Sequence, residues 1–200
     1  MDNRQVKEEI RLIREMIQKT KKDHAKSWNF FLLWGIVVIL AIMGMHLLVF
    51  LKKFNLIWLN WVLFTGAGVI IQIFFIVKQE QSQKVKTYPH NAVAHLGFAC
   101  GMAFLFTGFI LPLLKIYSYG AIPIMVSVIA GVITFTLGGI YEWNFLKLCG
   151  FIWWLGALGM VFIHWHYRSL MVVPLIIICY LVPGFILHAR YKKNAGENVE

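Results

Sequence analysis

Histidine is the residue type that comes nearest to forming a chemical site in this sequence. His46, His164 and His166 fall near equivalent ends of two long apolar stretches, where converging imidazoles would suit a metal or a haem iron. His164 and His166 are two residues apart, a spacing that turns them to different faces of a helix. No His-Glu-x-x-His, no Cys-x-x-Cys-His and no carboxylate partner completes a set. The expectation is an interfacial role around Trp165, with no cofactor and no metal. His90, His95 and His188 read the same way.

The other chemistries have even less to work with. After the N-terminal segment the acidic residues are Glu80, Glu142, Glu197 and Glu200, all outside the apolar stretches, so the intramembrane carboxylate of a proton-coupled carrier is missing. Ser118, Ser127 and Ser169 have neither nucleophile-elbow glycines nor an Asp-His pair, and no enzyme activity is expected. Cys100, Cys149 and Cys179 lie in or beside apolar stretches and read as packing thiols. Polar residues inside the stretches are Asn60, Thr65, Gln72, Thr107, Ser127, Thr134 and Thr136. Such groups commonly tie helices together or bond their own backbone. If a polar path exists, Asn60, Gln72, Thr107 and Thr134 are the residues to line it.

The elements that carry these residues follow from composition. At 60% hydrophobic, 14% charged and a mean hydropathy of +0.70, the chain of 200 residues lies outside the soluble range. Apolar runs cover 30–51, 56–77, 92–114, 121–140, 145–163 and 170–187. The first holds 22 residues, about 33 Å of helix at about 1.5 Å per residue and enough to cross a bilayer. The first run follows a long polar segment and leads into no soluble domain, which argues against a cleaved signal peptide. The fold class is therefore all-α: a polytopic membrane protein of six transmembrane helices in three hairpins, preceded by an N-terminal amphipathic helix. Residues 1–27 form that cytoplasmic or interfacial helix, 28–189 the six-span domain, and 190–200 a cytoplasmic tail.

Val6, Ile10, Ile13 and Ile17 recur at helical spacing among charged residues, giving residues 1–27 one apolar face. Glu8 and Glu9 precede Lys19, Lys21, Lys22 and Lys26, in keeping with the helix dipole. Of the 19 Lys and Arg residues, only Lys52, Lys53, Lys115 and Arg168 fall in the connections on the far side of the spans. That asymmetry places both termini in the cytoplasm. The net charge of +10 borders the spans and meets anionic lipid, so the bilayer and not nucleic acid is the expected partner. Trp28, Trp58, Trp61, Tyr88, Tyr117, Tyr119, Tyr141, Trp143, Trp165 and Tyr167 fit aromatic belts.

A repeat runs through the spans. Trp28, Asn29, Phe30, Leu33, Gly35, Leu40, Gly44 and Met45 recur as Trp143, Asn144, Phe145, Leu148, Gly150, Leu155, Gly159 and Met160, at a constant offset of 115 residues. Asn91 and Gly97 echo the first part in the third run. The expectation is that the Asn caps a helix start and the Gly admits a neighbouring backbone. Gly97-x-x-x-Gly101, with Gly108, offers a further small-residue face. Pro112 and Pro123 bracket the third-to-fourth turn, and Pro183-Gly184 is expected to kink or end the last helix.

Through Trp28-Asn29-Phe30-Phe31-Leu32-Leu33-Trp34-Gly35, Pro183-Gly184 and the basic tail Arg190, Lys192 and Lys193, the chain resembles uncharacterised bacterial six-helix inner-membrane proteins with a charged N-terminal helix. The resemblance implies a fold and a bacterial inner-membrane location, and it carries no site residues. The functional expectation is a non-enzymatic membrane component, accessory or signalling, that contacts a protein partner or a second copy through Val6, Ile10, Ile13 and Ile17. The alternatives are a small-molecule transporter or channel and a haem or metal protein.

Overall fold

The computed structural model describes residues 28–81 and 88–196. The amphipathic face Val6-Ile10-Ile13-Ile17 lies outside the described residues. Among them every regular element is helical and there is no strand. The helices are α1 (Trp28–Phe50), α2 (Ile57–Gln81), α3 (Tyr88–Leu105), α4 (Ile122–Ile140), α5 (Asn144–Val161), α6 (Arg168–Ile176) and α7 (Val182–Gly196). A widened π turn, Phe106–Ile110, prolongs α3, and a second, Ile177–Leu181, joins α6 to α7. Six helical segments are long and apolar enough to cross a membrane: Trp28–Phe50, Phe54–Lys78, Ala92–Leu113, Tyr119–Ile140, Asn144–Val161 and Arg168–Ala189. The chain is a multi-pass helical bundle.

Three of the turns share one geometry, with no glycine at its left-handed position. After α1, Lys53 N donates to Leu48 O and Lys52 N to Val49 O; after the third span, Ile116 N donates to Leu111 O and Lys115 N to Pro112 O; after α4, Trp143 N donates to Gly138 O and Glu142 N to Gly139 O. Each is the paired 6→1 and 5→2 pattern that closes a helix C-terminus. The residue at the left-handed position is Lys52 (φ 56°), Lys115 (φ 58°) or Glu142 (φ 52°). A side chain there costs about 1–2 kcal/mol relative to a right-handed conformation. The reversals thus stop each helix at a charged residue.

Both π turns stand at the same distance before a proline. Leu111 N donates to Phe106 O and Pro112 follows; Val182 N donates to Ile177 O and Pro183 follows. A proline ring crowds the carbonyl one turn back and brings no N–H, and widening the preceding turn gives that carbonyl room. The last helix does not end at Pro183-Gly184 but runs on to Gly196, with a π turn immediately before the proline.

Packing divides the bundle into a centre and two flanks. α4 and α5 form the tightest pair, joined by the turn at Tyr141–Trp143. A Cβ built at Gly138 would lie 2.6 Å from Lys147 N, and one at Gly150 would lie 2.6 Å from Phe135 Cβ and 3.0 Å from Gly131 O. Trp154 Nε1 bridges this pair to Val128 O at 3.2 Å. α1 packs on α2 along one side and on α6, its π turn and α7 along the other. Phe31, Ile42, Leu146, Trp153, Met160, Ile176 and Leu187 are buried at the centre. The second span is only 6% buried and the third 11%, against 39% for the sixth. The second and third spans therefore face outward, where lipid solvates apolar side chains as well as protein does.

The repeat is visible in burial as well as in sequence. Buried Phe31, Gly35 and Ile42 correspond to buried Leu146, Gly150 and Ala157, while exposed Ile36, Leu40 and Met43 correspond to exposed Phe151, Leu155 and Leu158. The expected Asn caps are not formed. The N-cap of α5 is Trp143, without a side-chain bond, and Asn144 is already helical. The left-handed Glu142 throws Trp143 into extended backbone (φ −108°, ψ 102°), so the helix starts one residue too early for Asn144 to reach back. Asn29 Oδ1 is buried with no partner among the described residues. The face at Gly97, Gly101 and Gly108 has nothing within 4 Å of a built Cβ.

Candidate functional site

The polar side chains that reach between helices gather at the end of the bundle that carries the turns 51–56, 114–121 and 162–168. Arg168 opens α6 and turns its guanidinium back over the chain. Nε donates to Ile163 O at 3.0 Å, Nη1 to Gly120 O at 3.0 Å and Nη2 to Val161 O at 3.5 Å. The cation thus satisfies the carbonyl end of α5, where positive charge is favourable, and bridges to the neighbouring turn. The next residue, Ser169, meets His46 of α1, with Oγ 3.1 Å from His46 Nε2. One dipeptide, Arg168-Ser169, therefore ties three parts of the chain together.

The histidine geometry differs from the helical expectation. The fifth span ends at Val161, and residues 162–167 form a turn. His164 and His166 are therefore not on opposite helix faces: their ring centroids are 6.2 Å apart, and His166 lies 4.0 Å from the Trp165 ring, edge to face. His166 lies within electrostatic range of His46, whose Nε2 faces Ser169 Oγ. Among the described residues no three His, Cys, Asp or Glu side chains are arranged to hold a metal ion.

A second polar group repairs the backbone of the third span. With Leu111 N bonded to Phe106 O and Pro112 unable to donate, the Thr107 carbonyl has no helical donor in reach. The Tyr117 hydroxyl, arriving from the turn, donates to it. Burial pushes the Tyr117 phenol above its ordinary range and keeps it a donor at neutral pH.

The residues expected to line a polar path are held apart. Asn60 Nδ2 donates to Ala41 O at 2.9 Å across the α1–α2 contact, and its Oδ1 occupies the space left by Gly44. Gln72 is three turns further along α2, its Oε1 buried and unpartnered among the described residues. Thr107 Oγ1 donates to Ala103 O at 2.7 Å within its own helix. Thr134 Oγ1 donates to Ala130 O at 2.6 Å in the buried centre. Asn60 and Gln72 lie on one helix, whereas Thr107 belongs to the third span and Thr134 to the fourth.

Two groups at the centre escape sequence reasoning. Tyr180 stacks edge-on against Trp153 (5.5 Å) and Phe31 (5.6 Å), and Trp153 Nε1 has no hydrogen-bond partner among the described residues. Cys179 Sγ lies 3.5 Å from Cys149 O, and all three cysteines are buried free thiols. The π turn is what brings Cys179 and Tyr180 inward together, an irregularity with no marker in hydropathy. In the sequence Arg168 is legible only as a charge at a span end. Comparison with protein families, curated proteins and solved structures finds no match for this chain.

Proposed function

We propose that this protein is a non-enzymatic accessory or signalling component of a bacterial inner membrane. Its six spans are arranged as inward-starting hairpins with both termini cytoplasmic, and it acts through contacts that the N-terminal Val6-Ile10-Ile13-Ile17 face makes with a protein partner or a second copy. The observation that carries the reading is how polar groups in the spans are used. Asn60, Thr65, Thr107, Ser127 and Thr134 each bond backbone carbonyls inside the bundle, and the centre is filled by Trp153, Phe31, Leu146 and Met160. Such a bundle is a rigid anchor, and its activity then belongs to the segment outside it.

The test is photo-crosslinking in cells from Ile10 and Ile13, with Glu15, on the opposite face of that helix, as the control. A discrete adduct from the apolar positions alone is the expected result. A smear equal at all three positions, or no adduct, would sink the proposal. A second reading, a small-molecule transporter or channel, draws on the buried Gln72 Oε1 that has no partner among the described residues. It requires solute flux into liposomes on reconstitution that Gln72→Leu abolishes, and unchanged flux removes it.

A further inference from the structure

We propose that the end of the bundle opposite Trp28 and Gly196 binds the phosphate of an anionic phospholipid, at the depression formed by Lys52, Lys53 and Asn55, with its acyl chains against Phe54 and Leu56. Charge is the first argument. The turns 51–56, 114–121 and 162–169 contain Lys52, Lys53, Lys115 and Arg168 and no Asp or Glu. Arg168 is turned onto backbone carbonyls, which leaves the lysines of this end without an acidic neighbour in these turns. An anion has to come from outside them.

The backbone supplies the second argument. Lys52 occupies a left-handed position (φ 56°) that glycine fills at least cost, and Lys115 does the same two spans later (φ 58°). Strained backbone of this kind clusters at functional sites. The bonds Lys52 N to Val49 O (3.0 Å) and Lys53 N to Leu48 O (2.9 Å) fix the backbone of the turn that carries both exposed lysines.

Shape and polarity choose the lipid over a free phosphate. Lys52, Lys53, Phe54, Asn55 and Leu56 line an open depression of about 450 Å³, polar and apolar in similar measure. Phe54 is 60% exposed and Trp58, one helical turn along the chain, 64%. Inorganic phosphate would use the lysines and Asn55 and leave the apolar rim idle. A phospholipid uses both, its headgroup at the turn and its chains down the exposed flank of α2.

The experiment is native mass spectrometry of the full chain, released from neutral detergent with matched amounts of phosphatidylglycerol and phosphatidylcholine. Retention of phosphatidylglycerol in preference to phosphatidylcholine is expected. Lys53→Gln and Lys52→Asn should each lower it about fivefold, the scale of one basic residue at a membrane surface. Asn tolerates the left-handed backbone; should Lys52→Asn still fail to fold, Lys53→Gln decides alone. Equal retention of the two lipids, or wild-type retention by Lys53→Gln, overturns the proposal. So does displacement of phosphatidylglycerol by millimolar inorganic phosphate, which would mark a free-anion site.

Discussion

Tyr117 donates to a carbonyl that Pro112 and a π turn have left without a helical partner. From sequence it is one more interfacial aromatic, yet its hydroxyl has specific work. Removing that hydroxyl leaves the Thr107 carbonyl unpaired, which costs about 1–3 kcal/mol. Tyr117→Phe should therefore lower the thermal midpoint of the detergent-solubilised protein, whereas Tyr119→Phe, on an exposed side chain, should not. Equal midpoints for the two variants would mean that Thr107 O finds another donor. Arg168 and Ser169 teach the same lesson. A basic residue at a span end reads as a topology signal, but the guanidinium also caps α5 and grips Gly120.

Among the helices, small residues divide by what lies opposite them. Gly35 and Gly150, equivalent in the repeat, both face close neighbours: a Cβ at Gly35 would lie 2.8 Å from Leu181 Cδ2, and one at Gly150 would press on Phe135 and Gly131. Gly97 faces open space. Gly150→Ala should therefore destabilise the bundle by about 1–3 kcal/mol, the usual cost of overpacking, while Gly97→Ala should be neutral in the monomer. Differential scanning fluorimetry of the two variants checks this, and a large loss from Gly97→Ala would reveal a contact across a second copy. The apolar runs, the repeat and the proline positions are all legible in the sequence, because each is a local pattern of residue types. The π turns and the helix ends without a left-handed glycine are not. A left-handed Lys or Glu carries no compositional mark, and nothing in hydropathy separates a π turn from an α turn.

For the molecule as a whole, the proposed orientation follows from where 19 basic residues fall. It predicts that Asn55→Cys is labelled by a membrane-impermeant maleimide in spheroplasts with intact inner membranes, and Glu142→Cys only after permeabilisation. The native cysteines are buried and should contribute little background. Labelling of both positions from outside would overturn the orientation. The packing gives this topology a particular shape: the fourth and fifth spans make the tightest contact, and the second and third remain at the flanks, mostly exposed.

Residue order alone is enough to make the chain all-helical with six segments able to cross a membrane, because length and hydropathy act locally and a bilayer leaves the backbone no other economical solution. It also marks which positions of the first and fifth spans are equivalent. Which side chains meet is a property of the folded bundle. There the fifth span ends at Val161, so that His164 and His166 share a turn. The last helix continues past Pro183, and Arg168-Ser169 becomes the link between turns distant in sequence. Those outcomes depend on where a helix stops and how wide its turns are, to within one residue. That precision comes from carbonyls finding donors across the bundle, which no single segment can specify.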